Sequence, residues 1–328
     1  MEAFPYTKYT SSRDLTYSYI HIKPSQGNRT YILFLHGFPS SSRDWRHQID
    51  YFQQRGYGII VPDLLGYGGT SKPLDTTKYN MKGMASDVHE ILEHENIEQV
   101  VGIGHDWGSF LLSRLMNYCP ILFSKLVFLD VGYSAPGTGL TEQTVKYVNS
   151  MVQEHMGYSV FGYFLFFKED HAAQLMNAHV DSMQSLMHSR DAELGKKYMG
   201  AEGGTRNWLE AGKVADPPSY RTKEDIEYDR VFFSAENGGY GPCLNWYISQ
   251  LNDINREDDK GILEKNHTLQ QPTLLVSSNN FITAAADMAS QMRPLAPKMK
   301  EESLDAGHWL MLEKPNEVNV MIEKFLEE

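Results

Sequence analysis

The first 130 residues alternate between short apolar runs and segments of helical spacing. Residues 15–22 alternate apolar and polar positions, as a half-buried strand does, and residues 24–28 read as a turn. Tyr31-Ile-Leu-Phe-Leu35 and Gly58-Ile-Ile-Val61 are apolar runs of strand length. The helix between them starts near Ser42 or Asp44 and ends at Gly56. Residues 81–95 carry Met84, Val88, Ile91 and Leu92 on one helical face. Next comes Val100-Val101-Gly102-Ile103-Gly104-His105-Asp106-Trp107-Gly108, a buried strand entering a tight turn bracketed by two glycines. Leu111, Leu112 and Leu115 then recur at helical spacing, and Lys125-Leu-Val-Phe-Leu129 is a further strand. Residues 1–14 look like a polar lead-in.

The alternation then stops. Residues 132–139 are loop-like, and residues 141–266 are rich in Met, Phe, Tyr and His, with helical stretches and no clear strand. It resumes with Pro272-Thr-Leu-Leu-Val276, a helix over 284–292, a strand over 300–304 and a last helix from Pro315. This order predicts an α/β fold with a mostly parallel central sheet, helices on both faces and an inserted helical cap. The expected division is core over 1–140, cap over 141–266 and core again over 267–328. No internal repeat or low-complexity segment interrupts it.

Composition narrows the partners. The 328 residues carry a net charge of −12, which argues against nucleic acid or an anionic membrane as partner. Cys119 and Cys243 are the only cysteines, too few for a disulfide framework or a cysteine-rich metal site. The first residues lack the apolar centre of a signal peptide, and no apolar run approaches a membrane span of ~20 residues. The C-terminal Phe-Leu-Glu-Glu is no targeting tripeptide. Asn28-Arg-Thr and Asn266-His-Thr match the glycosylation sequon as readily by chance. The expected location is cytoplasmic. No metal or organic cofactor is implied, and Gly66-Tyr-Gly68-Gly69 is not a dinucleotide fingerprint, because Pro62-Asp63 precedes it and no helix opens on it.

The candidate chemistry starts at Asp106. A strand, a sharp turn and a helix form the layout of a nucleophile elbow, with aspartate where serine is familiar. A carboxylate there suits attack on a carbon bearing a leaving group, giving an ester to the enzyme. That ester then needs a base to activate water and donors for an oxyanion. His308, in the loop after the last predicted strand, stands where a base is expected. The backbone N–H groups of Phe38, in His36-Gly-Phe-Pro39, and of Trp107 would form the oxyanion hole.

These segments resemble the soluble-type epoxide hydrolases of the α/β-hydrolase superfamily across nearly the whole chain. His36-Gly-Phe-Pro39, Gly66-Tyr-Gly-Gly-Thr-Ser71, Gly104-His-Asp-Trp-Gly108 and Gly307-His-Trp309 are shared with haloalkane dehalogenases and related hydrolases. Two cap segments discriminate. Phe161-Gly-Tyr163-Phe-Leu-Phe-Phe-Lys-Glu and Leu244-Asn-Trp-Tyr247 resemble the stretches bearing the family's two acidic tyrosines, which places those roles on Tyr163 and Tyr247. An epoxide opens to an alkoxide, and a phenol can donate to it while staying un-ionised at neutral pH. Tyr158, Tyr228 and Tyr240 lie close enough in sequence to be confused with the pair. The resemblance implies a small apolar epoxide and water as substrates. Phe38, Trp107 and Trp309 are the expected substrate-pocket residues. Phe161, Phe164, Phe166, Phe167, Met151, Met156, Met183 and Met187 suggest an apolar cleft between cap and core.

The acid that orients His308 departs from the commoner pattern. Ser277-Ser-Asn279-Asn280-Phe281 follows the strand where many relatives carry it, so Asn280 falls on the acid position. An amide cannot stabilise an imidazolium by charge. The superfamily also has members with a carboxylate after the strand that follows the elbow, and Asp130, 24 residues beyond Asp106, fits that arrangement. The alternatives are Asp305, just before the histidine loop, or a site with no orienting carboxylate. Two other functions stay open: hydrolytic dehalogenation by Asp106, with the Trp107 indole holding the halide, and a non-catalytic small-molecule receptor, which Asn280 keeps alive.

Overall fold

The computed structural model describes residues 4–25 and 30–328, so the Asn28 sequon lies outside the described residues. The strands are β1 (Tyr6–Thr10), β2 (Thr16–Ile22), β3 (Tyr31–Leu35), β4 (Gly58–Pro62), β5 (Val100–His105), β6 (Phe123–Leu129), β7 (Thr273–Ser277) and β8 (Met299–Ser303). They form one sheet in the order β1-β2-β4-β3-β5-β6-β7-β8. The β1–β2 and β2–β4 pairings are antiparallel and the rest are parallel.

The central strands are apolar throughout because both of their faces are covered. Leu33 and Leu35 of β3 enter one core while Ile32 and Phe34 enter the other. Leu126 and Phe128 of β6 divide from Val127 and Leu129 in the same way. The second core packs under α1 (Arg46–Gln54), and the first under α2 (Met81–His94) and α3 (Trp107–Tyr118). Within α2 the apolar stripe is buried as its spacing predicts.

Between β6 and β7 the described chain contains no strand. It runs through α4 (Glu142–Met156), α5 (Gly162–Phe167), α6 (Ala172–Ala178), α7 (Val180–His188), α8 (Ala192–Gly195), α9 (Gly204–Glu210), α10 (Lys223–Phe232), α11 (Gly241–Leu251) and α12 (Arg256–Lys260). The chain returns to the sheet with α13 (Phe281–Ala286), α14 (Met288–Met292), α15 (Leu310–Glu313) and α16 (Pro315–Glu327).

Two sequence expectations are corrected. The polar lead-in contains strand β1, an edge strand whose side chains are mostly exposed and which therefore lacks an alternating apolar signal. The single helix expected over 284–292 is two short helices, broken at Asp287, which has φ 43° and caps α14 through its side chain.

The connection from β4 to β5 crosses over β3, so the winding direction of the sheet switches between β3 and β5. Open α/β sheets bind ligands beyond the carboxyl ends of their strands at such a point. The loops after β3, β5, β6, β7 and β8 all deliver candidate residues there.

Candidate active site

Asp106 sits at the turn between β5 and α3 with φ 53° and ψ −123°. A non-glycine residue in that conformation costs on the order of 1–3 kcal/mol, held by the packing around it. Close packing fixes the turn. A Cβ at Gly108 would run into the backbone of Leu35 and His36, and one at Gly37 would collide with the Asp106 carboxylate itself. The loop after β3 can therefore lie against the Asp106 carboxylate, and the Phe38 N–H donates to Asp106 Oδ1 at 2.8 Å. His36 secures that loop: its Nδ1–H donates to the Gly37 carbonyl at 2.9 Å, and its Nε2 accepts the Leu64 N–H at 3.0 Å. Burial raises the pKa of Asp106, and the charge of His308 and the N–H groups of Phe38 and Trp107 oppose that rise.

His308 lies between two carboxylates. Its Nε2 is 3.7 Å from Asp106 Oδ2, and its Nδ1 is 2.5 Å from Asp130 Oδ2. Burial disfavours its charge, but the hydrogen bond and charge of Asp130, together with the charge of Asp106, outweigh that and raise its pKa. Asp130 follows β6 with φ 63° and is almost wholly buried, its side chain fully so. Burial would raise its pKa, yet the bonds from His308, Ser278 and Thr283 hold it below the usual carboxylate value. The loop carrying His308 is braced twice. His105 Nε2 donates to the His308 carbonyl at 2.8 Å, and burial holds His105 neutral, its pKa lowered to about 3. Glu313 accepts the Gly307 N–H at 2.9 Å and pairs with Arg190 at 2.6 Å.

Tyr163 on α5 and Tyr247 on α11 face one another with ring centroids 5.9 Å apart. Helix α11 is fastened to the core: the Trp246 indole donates to the Leu65 carbonyl at 2.8 Å, and Asn245 accepts the Thr76 hydroxyl at 2.7 Å. Tyr247 consequently packs edge-on against Phe38 and Trp107, at 5.1 and 4.9 Å. Helix α5 is tied to α4 by Asn149, which accepts the N–H groups of Phe161 and Val160 at 2.7 and 3.2 Å. Burial, with the Asp106 charge adding to it, pushes both phenols well above 10; for Tyr247 the neighbouring Tyr163 adds more than Asp106 does. Both tyrosines, Asp106 and His308 border one cavity of about 510 Å³.

Residues 30–315 match the family described as alpha/beta hydrolase fold. The chain belongs to the α/β-hydrolase family. An epoxide hydrolase of Neurospora crassa is 28% identical over 342 residues, covering 97% of this chain and 93% of that protein. Epoxide hydrolase 2 of Siraitia grosvenorii is 30% identical over 227 residues, covering 68% of this chain and 67% of that protein. The chain spans just over half the length of the mammalian bifunctional epoxide hydrolases that it also matches. A solved epoxide hydrolase from an endophytic Streptomyces shares the fold with a TM-score of 0.81 at 22% identity, covering 98% of this chain and 95% of that one.

The site of this α/β-hydrolase brings Asp106, Asp130, His308, Tyr163, Tyr247, Phe38 and Trp107 around the one cavity or directly behind it. Trp309 also reaches its wall, but it is 2% exposed; its indole donates to the Met187 carbonyl at 2.9 Å and stacks on His188. Asn280 does not take the acid's place. Its oxygen caps α13 through the Ile282 N–H at 2.9 Å, and its amide lies 3.4 Å from Asp130 Oδ2. Asp305 is 88% exposed at its side chain and accepts from Asn279. The neighbouring tyrosines are engaged elsewhere: Tyr240 bonds Gln184, Tyr228 meets Ser41 and Arg43, and Tyr158 donates to the Phe281 carbonyl.

The apolar cleft is corrected in part. Phe161, Phe164 and Met187 line it, whereas Phe166, Phe167 and Met183 are buried core and Met151 and Met156 face solvent. Val148 and Val152 supply the α4 side of the wall in place of the methionines. Sequence reasoning passed over Ser278 and Thr283, which both bond Asp130. The signal for them was a loop that had lost its expected acid while keeping hydroxyls beside the vacancy.

Among the described residues no helix is long and apolar enough to cross a membrane. No group of three or more His, Cys, Asp and Glu among them could hold a metal ion.

Proposed function

We propose that this hydrolase converts an apolar epoxide to a vicinal diol through an ester on Asp106. The observation that carries the reading is one cavity with a carboxylate on its elbow, two phenols from the helical segment and a carboxylate-backed imidazole. Relatives bearing the name epoxide hydrolase support it. In this reading residues 141–266 are a cap over a core made of residues 1–140 and 267–328.

Asp106 Oδ1 is held by the Phe38 N–H, leaving Oδ2 to attack an epoxide carbon. The C–O bond of the ring breaks, and the departing oxygen takes its proton from Tyr163 or Tyr247, which are protonated at any physiological pH. The product is a hydroxyalkyl ester in which Oδ1 has become the carbonyl oxygen. His308 Nε2 then removes a proton from a water that attacks the ester carbon. The oxyanion forming at Oδ1 stays against the N–H groups of Phe38 and Trp107. Collapse breaks the ester C–O bond as the imidazolium protonates the departing alkoxide, and the diol leaves; the proton on the regenerated Asp106 carboxyl group then passes to the tyrosinate, restoring both groups. Ester formation also prepares the base, because it removes the Asp106 charge that favours a proton on His308.

The wall beyond the base supports an apolar substrate. His188 accepts from Arg221 at 2.9 Å and bonds Tyr220 at 3.1 Å, and the Tyr220 hydroxyl donates to the His188 carbonyl at 3.2 Å. The polar atoms of His188 and Tyr220 on the cavity wall are therefore already satisfied by one another and by Arg221. The unpaired Cys119 and Cys243 fit a reducing, cytoplasmic location.

A single turnover of styrene oxide in ¹⁸O-water, with enzyme in excess, tests the mechanism. The expected result is unlabelled diol and label in the Asp106 carboxylate. Label in the diol alone, or no diol from a varied epoxide panel, sinks it.

A further inference from the structure

The Asp130 carboxylate is almost fully buried, yet His308 occupies only one of its oxygens. The other, Oδ1, accepts two hydroxyls, from Ser278 at 2.6 Å and Thr283 at 2.8 Å. The two come from opposite sides of Asn280: Ser278 from the loop after β7, and Thr283 from the first turn of α13. The Ser278 hydroxyl is itself fixed, since its oxygen accepts the Asn280 N–H at 3.0 Å. Asn280 in turn holds the start of α13 by capping it.

We infer that Ser278 and Thr283 are positioning residues that hold the Asp130 carboxylate, so that the segment lacking the expected acid still serves the acid borrowed from β6. The inference rests on the roles given above to Asp130 and His308. A buried carboxylate with donors on one oxygen alone has two ways to relieve its charge: it can turn about its side chain, or take up a proton. Either would loosen the hold on Nδ1–H. Two hydroxyls on Oδ1 oppose both, since they stabilise the ionised form and fix the carboxylate plane with Oδ2 toward His308. Ring opening does not call on His308 as a base, so the consequence falls on ester hydrolysis.

The test compares Ser278→Ala, Thr283→Val and their double variant with the wild type in single turnovers of styrene oxide, following ester formation and ester decay separately. Ester decay is expected to slow roughly tenfold in each single variant and roughly a hundredfold in the double, the size of lost hydrogen bonds to a charge, with ester formation little changed. The acid limb of decay should move to lower pH, because a carboxylate that has turned away or taken up a proton no longer favours the charged imidazole. Thr283→Ser, which keeps the hydroxyl, should restore the wild-type profile. Proton NMR gives a readout independent of turnover: the downfield Nδ1–H resonance of His308 should shift in Ser278→Ala and Thr283→Val and return in Thr283→Ser. Wild-type ester decay with an unmoved acid limb in the double variant would overturn the inference. So would an unchanged Nδ1–H resonance in Ser278→Ala, which decides the matter should Thr283→Val fail to fold. If the wild type forms no ester at all, the functional reading falls, while the resonance still tests the clamp.

Discussion

His308 and Asp130 are 178 positions apart in the chain and 2.5 Å apart at Nδ1 and Oδ2. That bond sets the tautomer, leaving Nε2 free on the side of Asp106. Replacing Asp130 by Asn keeps the shape but allows the amide to favour the wrong tautomer, and it removes the charge that an imidazolium needs. Ester decay in Asp130→Asn is expected to fall on the order of 10³–10⁴-fold while ester formation stays within a few-fold of wild type. Mass spectrometry after brief exposure to an epoxide should find the Asp106 peptide largely modified. Wild-type turnover would remove Asp130 from the mechanism.

Asn280 offers the complementary experiment. Its amide faces Asp130 Oδ2 at 3.4 Å, so Asn280→Asp sets a second carboxylate against a buried one. With Asp130 present, the variant should lose roughly 1–3 kcal/mol of stability and hydrolyse its ester more slowly, as like charges push one carboxyl toward protonation. Combined with Asp130→Asn, the same change should recover part of the lost decay rate. A denaturant midpoint and single-turnover rates across the double-mutant cycle check both signs.

Much of the site was legible because its main residues sit at fixed places in a strand–turn–helix order. Asp106 lies between glycines that must be small, and His308 follows the last strand. Asp130 could be placed only through the resemblance to members that carry the acid after the strand following the elbow, since nothing in Leu126-Val-Phe-Leu-Asp130 marks its carboxylate as facing a loop from the far end of the chain. The tyrosines came from resemblance, because the packing that separates Tyr247 from Tyr240 depends on which face of α11 meets Phe38 and Trp107. Strand β1 was missed because an edge strand open to water can be polar at nearly every position. Met151 and Met156 were misplaced because composition does not say which side of α4 faces the cavity. Val148 and Val152 do.

Tyr163 and Tyr247 should separate from the hydrolytic machinery in the opposite kinetic direction. In the proposed mechanism each phenol supports the oxygen that leaves the ring, a contribution typical of general acids at 10²–10⁴-fold. With two donors present, Tyr163→Phe and Tyr247→Phe are each expected to slow ester formation by about 10²-fold, and the double variant far more. Decay of ester already formed should be nearly unchanged. Stopped-flow tryptophan fluorescence can follow the two phases, given that Trp107 borders the cavity. If ester decay slows instead, the phenols act on the water rather than on the epoxide oxygen.

The pH dependence of the two half-reactions follows from the same charges. Ester formation needs ionised Asp106, whose pKa is raised above 3.8 chiefly by burial, so its rate should fall as pH drops through that elevated value. Ester decay needs neutral His308, whose pKa in the free enzyme lies above 6.5; burial works against that rise, and Asp130 and Asp106 produce it. Once Asp106 is an ester its charge is gone and one of those causes disappears, so His308 should release its proton at lower pH in the intermediate than in the free protein. The acid limb of ester decay, measured by pH-jump, is therefore expected below the His308 pKa that NMR gives for the resting enzyme. Stability carries the matching signs. A raised histidine pKa contributes stability that is complete below 6.5 and lost as pH climbs through the folded value, while the lowered Asp130 pKa contributes stability present above 3.8 and lost on acidification through its own. The stability gap between wild type and Asp130→Asn should be widest between about pH 4 and 6.5 and narrow on either side. A decay limb at or above the resting His308 pKa would show that Asp106 does not hold the proton on its base.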